Sequence, residues 1–139
     1  MTQPARTQTV SPLYFELPFP PSMNNLFING KKGRFTSPRY RDWKKAAGLI
    51  ANAQAKGKCI AGYYAMDIKL VRPDKRRRDA SNYIKACEDL LVSLGITDDD
   101  CENQYVVAQW VEKGPACFVA VRPCTRWAVA TNQKPEGGA

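Results

Sequence analysis

The chain has 139 residues, 44% of them hydrophobic, and 21 lysines and arginines against 13 acids give it a net charge of +8. That length supports one hydrophobic core but not two. No apolar run could span a bilayer and no signal peptide is visible, so a cytoplasmic location and no membrane partner are expected. Histidine is absent, which excludes a histidine general base, a Ser-His-Asp triad and an HNH-type nuclease. The five cysteines (Cys59, Cys87, Cys101, Cys117, Cys124) contain no C-x-x-C pair and are expected to be reduced, with Cys87 and Cys117 as small core residues.

Residues 1–12 are polar and aperiodic and are expected to be flexible, as are residues 125–139; the packed domain is expected over residues 13–124. Leu13 to Leu17 predicts a short strand, ended by Pro18 because proline supplies no ladder donor. Phe27 to Gly30 carries a hairpin-turn signal with Lys31, Lys32 and Arg34 at or just beyond the tip, a basic finger that reads equally as a DNA contact or a solvated loop. Ser37 and Pro38 are an N-cap and a first-turn proline, and Tyr40, Trp43, Ala47 and Ile50 share one face, so a helix is expected over about residues 38–56. Arg39, Arg41, Lys44 and Lys45 on that helix could track phosphates or merely solubilise it.

From Tyr63 to Val71 the pattern alternates, with Tyr64, Met66, Ile68 and Leu70 on one face, which is a strand half-buried on a core. From Asn82 to Leu94 the apolar residues Tyr83, Cys87, Leu90, Leu91 and Leu94 follow a helical period closed by Gly95, with Asp79 or Ser81 as the expected cap. Asn82, Lys85 and Asp89 then share the opposite face. Val106 to Glu112 and Cys117 to Arg122, joined by Lys113-Gly114-Pro115, are expected to pair as an antiparallel hairpin.

Charge is distributed unevenly. Between Asp79 and Glu102 lie seven of the 13 acids and a single base, Lys85, which leaves 20 bases against 6 acids elsewhere, a net +14. A generally basic surface is a footprint for nucleic acid. Two carboxylates held about 4 Å apart repel by roughly 4 kcal/mol at an effective dielectric of about 20, so an acidic island within that surface usually holds a cation or a proton. The residues at its head, Arg76-Arg77-Arg78-Asp79-Ala80-Ser81-Asn82-Tyr83-Ile84-Lys85, followed by Asp98-Asp99-Asp100, are what a metal-assisted enzyme acting on a polyanion needs. Each also has a plainer reading: Asp79 as a helix cap, Lys85 and Asp89 as a surface ion pair, and the three aspartates as a solvated turn after Gly95.

The segment RRRDASNYIKACEDLLVSLGITDDD closely resembles the signature of RusA-like endonucleases, the prophage-type Holliday junction resolvases. Their pattern is Arg-Arg-Asp-x-Asp-Asn-x-x-Lys and then, beyond a helix and a glycine, Asp-Asp. The opening strand running into Pro20-Pro21-Ser22 with Asn24-Asn25 behind it is similar as well, and the resemblance covers roughly residues 14–122. It implies an α/β (α+β) fold, a single small domain with a mixed sheet of about four strands and two main helices. It also implies a magnesium-dependent homodimer, with manganese a possible substitute, that nicks opposing strands of a four-way DNA junction. Carried over by position, the catalytic residues are Asp79, Lys85 and Asp100, with Asp79, Asp99 and Asp100 toward the metal and Asn82 and Asp89 in support. Lys75, Arg76, Arg77 and Arg78, together with Lys31, Lys32 and Arg34, are the expected DNA contacts. One position departs from the family: its second aspartate is Ser81 here. That leaves two other readings, a junction-binding protein that lost the chemistry and a nuclease for flaps, forks or RNA.

Overall fold

The computed structural model describes residues 5–126. In chain order the elements are β1 (Thr7–Gln8), β2 (Leu13–Leu17), β3 (Phe27–Gly30), β4 (Gly33–Thr36), α1 (Pro38–Ala55), β5 (Lys58–Cys59), β6 (Tyr64–Val71), α2 (Ile84–Ser93), β7 (Asn103–Val111) and β8 (Cys117–Pro123). Short 3-10 turns lie at Met23–Asn25, Ala80–Tyr83 and Asp100–Glu102. The main sheet is mixed and four-stranded, in the order β2-β8-β6-β7.

Alternation in β6 does what its pattern requires. Tyr64, Met66, Ile68 and Leu70 are fully buried and share one cluster with Phe15, Val119, Val121 and the inner faces of both helices. The other face of the sheet carries exposed Tyr14, Lys69 and Gln109. Truncating a fully buried leucine such as Leu90 in a cluster of this kind costs about 2–5 kcal/mol.

α1 begins where Ser37 and Pro38 place it, with the Ser37 hydroxyl accepting from the Tyr40 amide at 3.1 Å. Its buried face is narrower than hydropathy suggests. Tyr40, Trp43, Ala47, Gly48, Ala51 and Ala55 point inward, while Ile50, expected on that face, stays 39% exposed. Small residues let α1 lie close to its neighbours, and the 100° step per residue carries Ile50 past the contact.

α2 is shorter than its apolar pattern. Ala80–Tyr83 forms a 3-10 turn and the α-helix proper starts at Ile84. Neither Asp79 nor Ser81 makes a side-chain capping bond, so the cap expected there is not formed. At the other end Gly95, at φ +71, closes the helix: its amide donates to the Val92 carbonyl and that of Ile96 to Leu91, a left-handed turn that suits a residue without a Cβ.

The expected hairpin of the last two long strands is not formed. β6 lies between them, parallel to β7 and antiparallel to β8. The helical crossover through α2 returns the chain alongside β6 in the parallel sense, leaving the other edge of β6 for β8. The five-residue loop after β7 then crosses the end of β6, where the Val71 amide donates to the Ala116 carbonyl at 3.1 Å. Part of the amino-terminal segment expected to be flexible is also paired: β1 runs parallel to β5, and the Arg6 Nε donates to the Leu94 carbonyl at 3.0 Å. Backbone pairing of this kind needs no apolar side chains, so hydropathy does not reveal it. Residues 1–4 and 127–139, the remainder of the two expected flexible ends, lie outside the described residues.

The described cysteines are all free. Cys87 and Cys117 are buried with their sulfurs 3.8 Å apart, as small core residues. Among the described residues no helix is long and apolar enough to cross a membrane.

Candidate nuclease site

The site is built on the face of α2 opposite its core. Ala86, Cys87, Leu90 and Leu91 anchor the helix, which fixes Lys85 and Asp89 outward one turn apart. The start of the helix is pinned separately by Tyr83, whose buried ring packs edge-on against Phe19 (4.9 Å) and Trp110 (5.9 Å). Lys85 is therefore held by packing on both sides, Tyr83 before it and the core face of α2 after it.

Lys85 is the hub. Its Nζ lies 2.7 Å from Asp100 Oδ2 and 3.1 Å from Asp89 Oδ1. The hydrogen bond to Asp100 is the largest of the influences that raise the lysine above its ordinary value, so it is protonated at neutral pH; burial opposes the shift. Reciprocally, Lys85 and then Asp99 hold the Asp100 carboxyl below the usual range. Tyr40 Oη also donates to Asp89, at 3.3 Å, and burial followed by the Asp89 charge raises the phenol well above its ordinary value. The sequence reading missed Tyr40 as a site residue because its position on α1 is accounted for by the core. Only the crossing of α1 and α2 brings it to Asp89.

The three consecutive aspartates have three separate tasks. Asp98 Oδ2 accepts from the Gly62 amide at 2.7 Å, tying this turn to the loop before β6. Asp99 caps the 3-10 turn, accepting from the Cys101 amide. Asp100 faces Lys85. Asp89, Asp99 and Asp100 line an open cleft of about 320 Å³ together with Phe27, Tyr40 and Lys44.

Asp79 stands apart. It is exposed, extended (φ −94, ψ 125), and its carboxylate makes no hydrogen bond or ion pair among the described residues. Exposed Ser81 likewise makes no side-chain hydrogen bond, and the Asn82 amide donates to the Asp79 carbonyl at 3.1 Å. Among the described residues no group of three acidic or cysteine side chains converges as a ready metal site. The structure thus brings together Lys85, Asp89 and Asp100, and leaves Asp79 unpartnered at the head of the same segment.

The basic residues divide as well. Arg78 is forked onto Asp74, Nη2 to Oδ2 at 2.7 Å and Nε to Oδ1 at 3.3 Å, and its Nη1 donates to Tyr83 Oη at 3.2 Å. The Arg76 amide donates to Asp74 Oδ1 at 3.0 Å, while its side chain stays 81% exposed. Exposed Lys75 and Arg77 have no ion-pair partner among the described residues. Asp74 was not singled out in the sequence, although an acid four residues before an arginine is the signal that could have found it. Arg76, Arg78 and Arg39 line a second cleft, of about 350 Å³, floored by Phe19, Trp43 and Tyr83. Lys31 and Lys32 form the exposed turn between β3 and β4, and Arg34 lies over the Phe27 ring at 4.2 Å.

A basic α+β domain that sets a lysine between carboxylates beside an arginine loop has the build of a nucleic-acid hydrolase. The chain belongs to the family described as Endodeoxyribonuclease RusA, which matches residues 18–122. Over 111 residues it is 32% identical to the crossover junction endodeoxyribonuclease RusA of Aquifex aeolicus (strain VF5), an alignment covering 78% of this chain and 86% of that protein.

Proposed function

We propose that the chain is a divalent-metal-dependent endonuclease that resolves four-way DNA junctions by paired nicks, acting as a homodimer. The observation that carries this reading is the Lys85 ammonium fixed between Asp89 and Asp100, fifteen residues before Asp100 and six after Asp79 at the end of the Arg76–Asp79 run. Hard carboxylate oxygens are the donor type that magnesium takes, and magnesium needs only one or two of them from the protein. The unpartnered Asp79 supports such a site, with Asp100 and Asp99 as the other donors and manganese as a substitute ion. When bound there, the ion supplies Lewis-acid polarisation of the scissile phosphate and an acidified water.

The residues of the chain supply the rest. Lys85, kept protonated by its two carboxylates, offers a fixed positive charge where negative charge develops on the phosphate. Arg76, Arg77, Arg78 and Lys75 grip neighbouring phosphates, giving affinity and position without base readout. A two-fold dimer presents two such sites to a junction of matching symmetry.

A second reading, a junction-binding protein that no longer cuts, is favoured by exposed Ser81 in place of a carboxylate and by the absence of a converged three-acid group among the described residues. One experiment separates the two. The pure protein is incubated with a labelled four-way junction of mobile core in magnesium, manganese or EDTA, and strands are resolved on a denaturing gel. Symmetric nicks that require the metal support the resolvase. A band shift without nicks in either metal supports the binding protein, and equal cutting of forks or flaps replaces the junction as substrate.

A further inference from the structure

Among the described residues β3 and β4 form a two-stranded ribbon that belongs to no larger sheet. Its base is firmly seated. Leu26 is 1% exposed, the Ser37 amide donates to the Leu26 carbonyl at 2.9 Å, and the Ser37 hydroxyl donates to the Asn25 carbonyl at 2.6 Å. The two faces of the ribbon differ. One carries Phe27, packed edge-on against Tyr40 at 6.0 Å and lining the cleft that holds Asp89, Asp99 and Asp100. The other carries Ile28 and Phe35, directly opposite each other in the ladder and 50% and 52% exposed.

The half-exposed aromatic–aliphatic pair is a small apolar face on an otherwise polar ribbon tip, available for contact. The tip is shaped for this pair. A Cβ on Gly30 would fall 2.7 Å from the Phe35 ring, so the glycine lets the ring lie across the end of the hairpin. The electrostatics favour one kind of occupant. From Leu17 to Tyr40 the chain has four cations (Lys31, Lys32, Arg34 and Arg39) and no carboxylate, and the next cation, Arg41, is paired with Asp42 at 3.5 Å. An apolar pair beside a tip that carries the exposed cations Lys31 and Lys32 matches a stack of bases flanked by phosphates, the chemistry of side chains that wedge between base steps and unstack them.

We infer that the β3–β4 ribbon is a DNA wedge: Phe35 and Ile28 enter a base step at the branch point of the substrate while Lys31 and Lys32 at the tip take the adjoining phosphates. The inference rests on the junction reading above. Because the opposite face of the same ribbon lines the acidic cleft, insertion of the wedge sets where along the strand the scissile phosphate comes to rest.

The test uses the full-length protein and a four-way junction carrying 2-aminopurine at the branch point, which brightens when its base unstacks. Binding is followed in EDTA and nicking in magnesium. Wild type is expected to raise the fluorescence. The double variant Ile28→Ala with Phe35→Ala is expected to abolish the rise and to bind the junction about tenfold more weakly, the loss expected from one stacking contact. Phe35→Trp is expected to keep the signal, and thermal melting of each variant confirms folding. Equal brightening by wild type and double variant overturns the wedge while leaving the junction reading intact. Loss of self-association in sedimentation without change in fluorescence also overturns it, and gives this face to a second copy of the chain. A wild type that neither binds nor nicks the junction overturns the functional reading and the wedge with it.

Discussion

α1 lines two clefts of opposite character, Arg39 and Trp43 facing one and Tyr40 and Lys44 the other. One is lined by Arg39, Arg76 and Arg78, with a single acid, Asp74, engaged by both loop arginines. The other is lined by Asp89, Asp99 and Asp100, with Lys44 alongside and Lys85 bonded to two of the three acids. Each cleft thus holds a minority charge that organises the majority: Asp74 aims the arginines and Lys85 spaces the carboxylates. In the basic cleft the surplus is positive and suits a phosphate backbone. In the acidic cleft the surplus is negative, three carboxylates against Lys44 and Lys85. In the proposed reading the basic cleft grips and the acidic one cuts, so each can be altered without the other.

The largest effect should come from removing the acid of Asp79. Asp79→Asn is expected to slow junction nicking by about 10³-fold or more, since a metal ligand carries several kcal/mol of transition-state stabilisation, while leaving the band shift in EDTA unchanged. Cutting at the wild-type rate would sink the proposed metal site and with it the division between the clefts. Lys85→Ala follows, with an expected loss of about 10²–10³-fold in nicking rate if the ammonium stabilises developing charge. Lys85→Ala also leaves Asp89 and Asp100 facing one another without their cation. The variant should therefore bind magnesium or manganese at least as tightly as wild type even as it cuts more slowly, a combination that a purely structural ion pair does not produce.

How much of this could be read from the chain depends on the range of each interaction. β6 and α2 were legible because one face of each is buried by neighbours at a fixed period, so Met66, Ile68 and Leu70, or Cys87, Leu90 and Leu91, announce themselves. The partners of the strands were not, because alternation marks a buried face without naming the strand beside it; β8 alternates, β7 does not, and β6 separates them. The site shows the same split. Lys85 and Asp89 could be joined on paper by their i, i+4 spacing, whereas the bonds of Lys85 to Asp100 and of Tyr40 to Asp89 exist only because α2, the Asp100 turn and α1 meet in space. The family pattern marked Asp100 in advance by position, without indicating that its nearest partner is the lysine.

The smaller effects belong to the basic cleft. Arg77→Ala removes an exposed cation with no partner among the described residues, and it should weaken junction binding and reduce the salt slope by about 1 while the nicking rate at saturation holds. Asp74→Asn tests the organising acid, and here the sign of the change is the information. If Asp74 merely subtracts charge from a basic surface, its removal tightens binding. If it holds the fork of Arg78 and the backbone of Arg76 in place, removal weakens binding by a few fold despite the added positive charge, because the guanidinium must be ordered at the moment of contact. The Arg78 hydrogen bond, and then that of the Arg76 amide, keep the Asp74 carboxyl below its ordinary value. A depressed carboxyl contributes above its unfolded pKa and loses that contribution as pH falls through the folded one. The difference in affinity between wild type and Asp74→Asn should accordingly be constant from neutral pH down to about pH 5 and close only in more acidic buffer. A difference that vanished already near pH 6 would show that some other group organises the arginines.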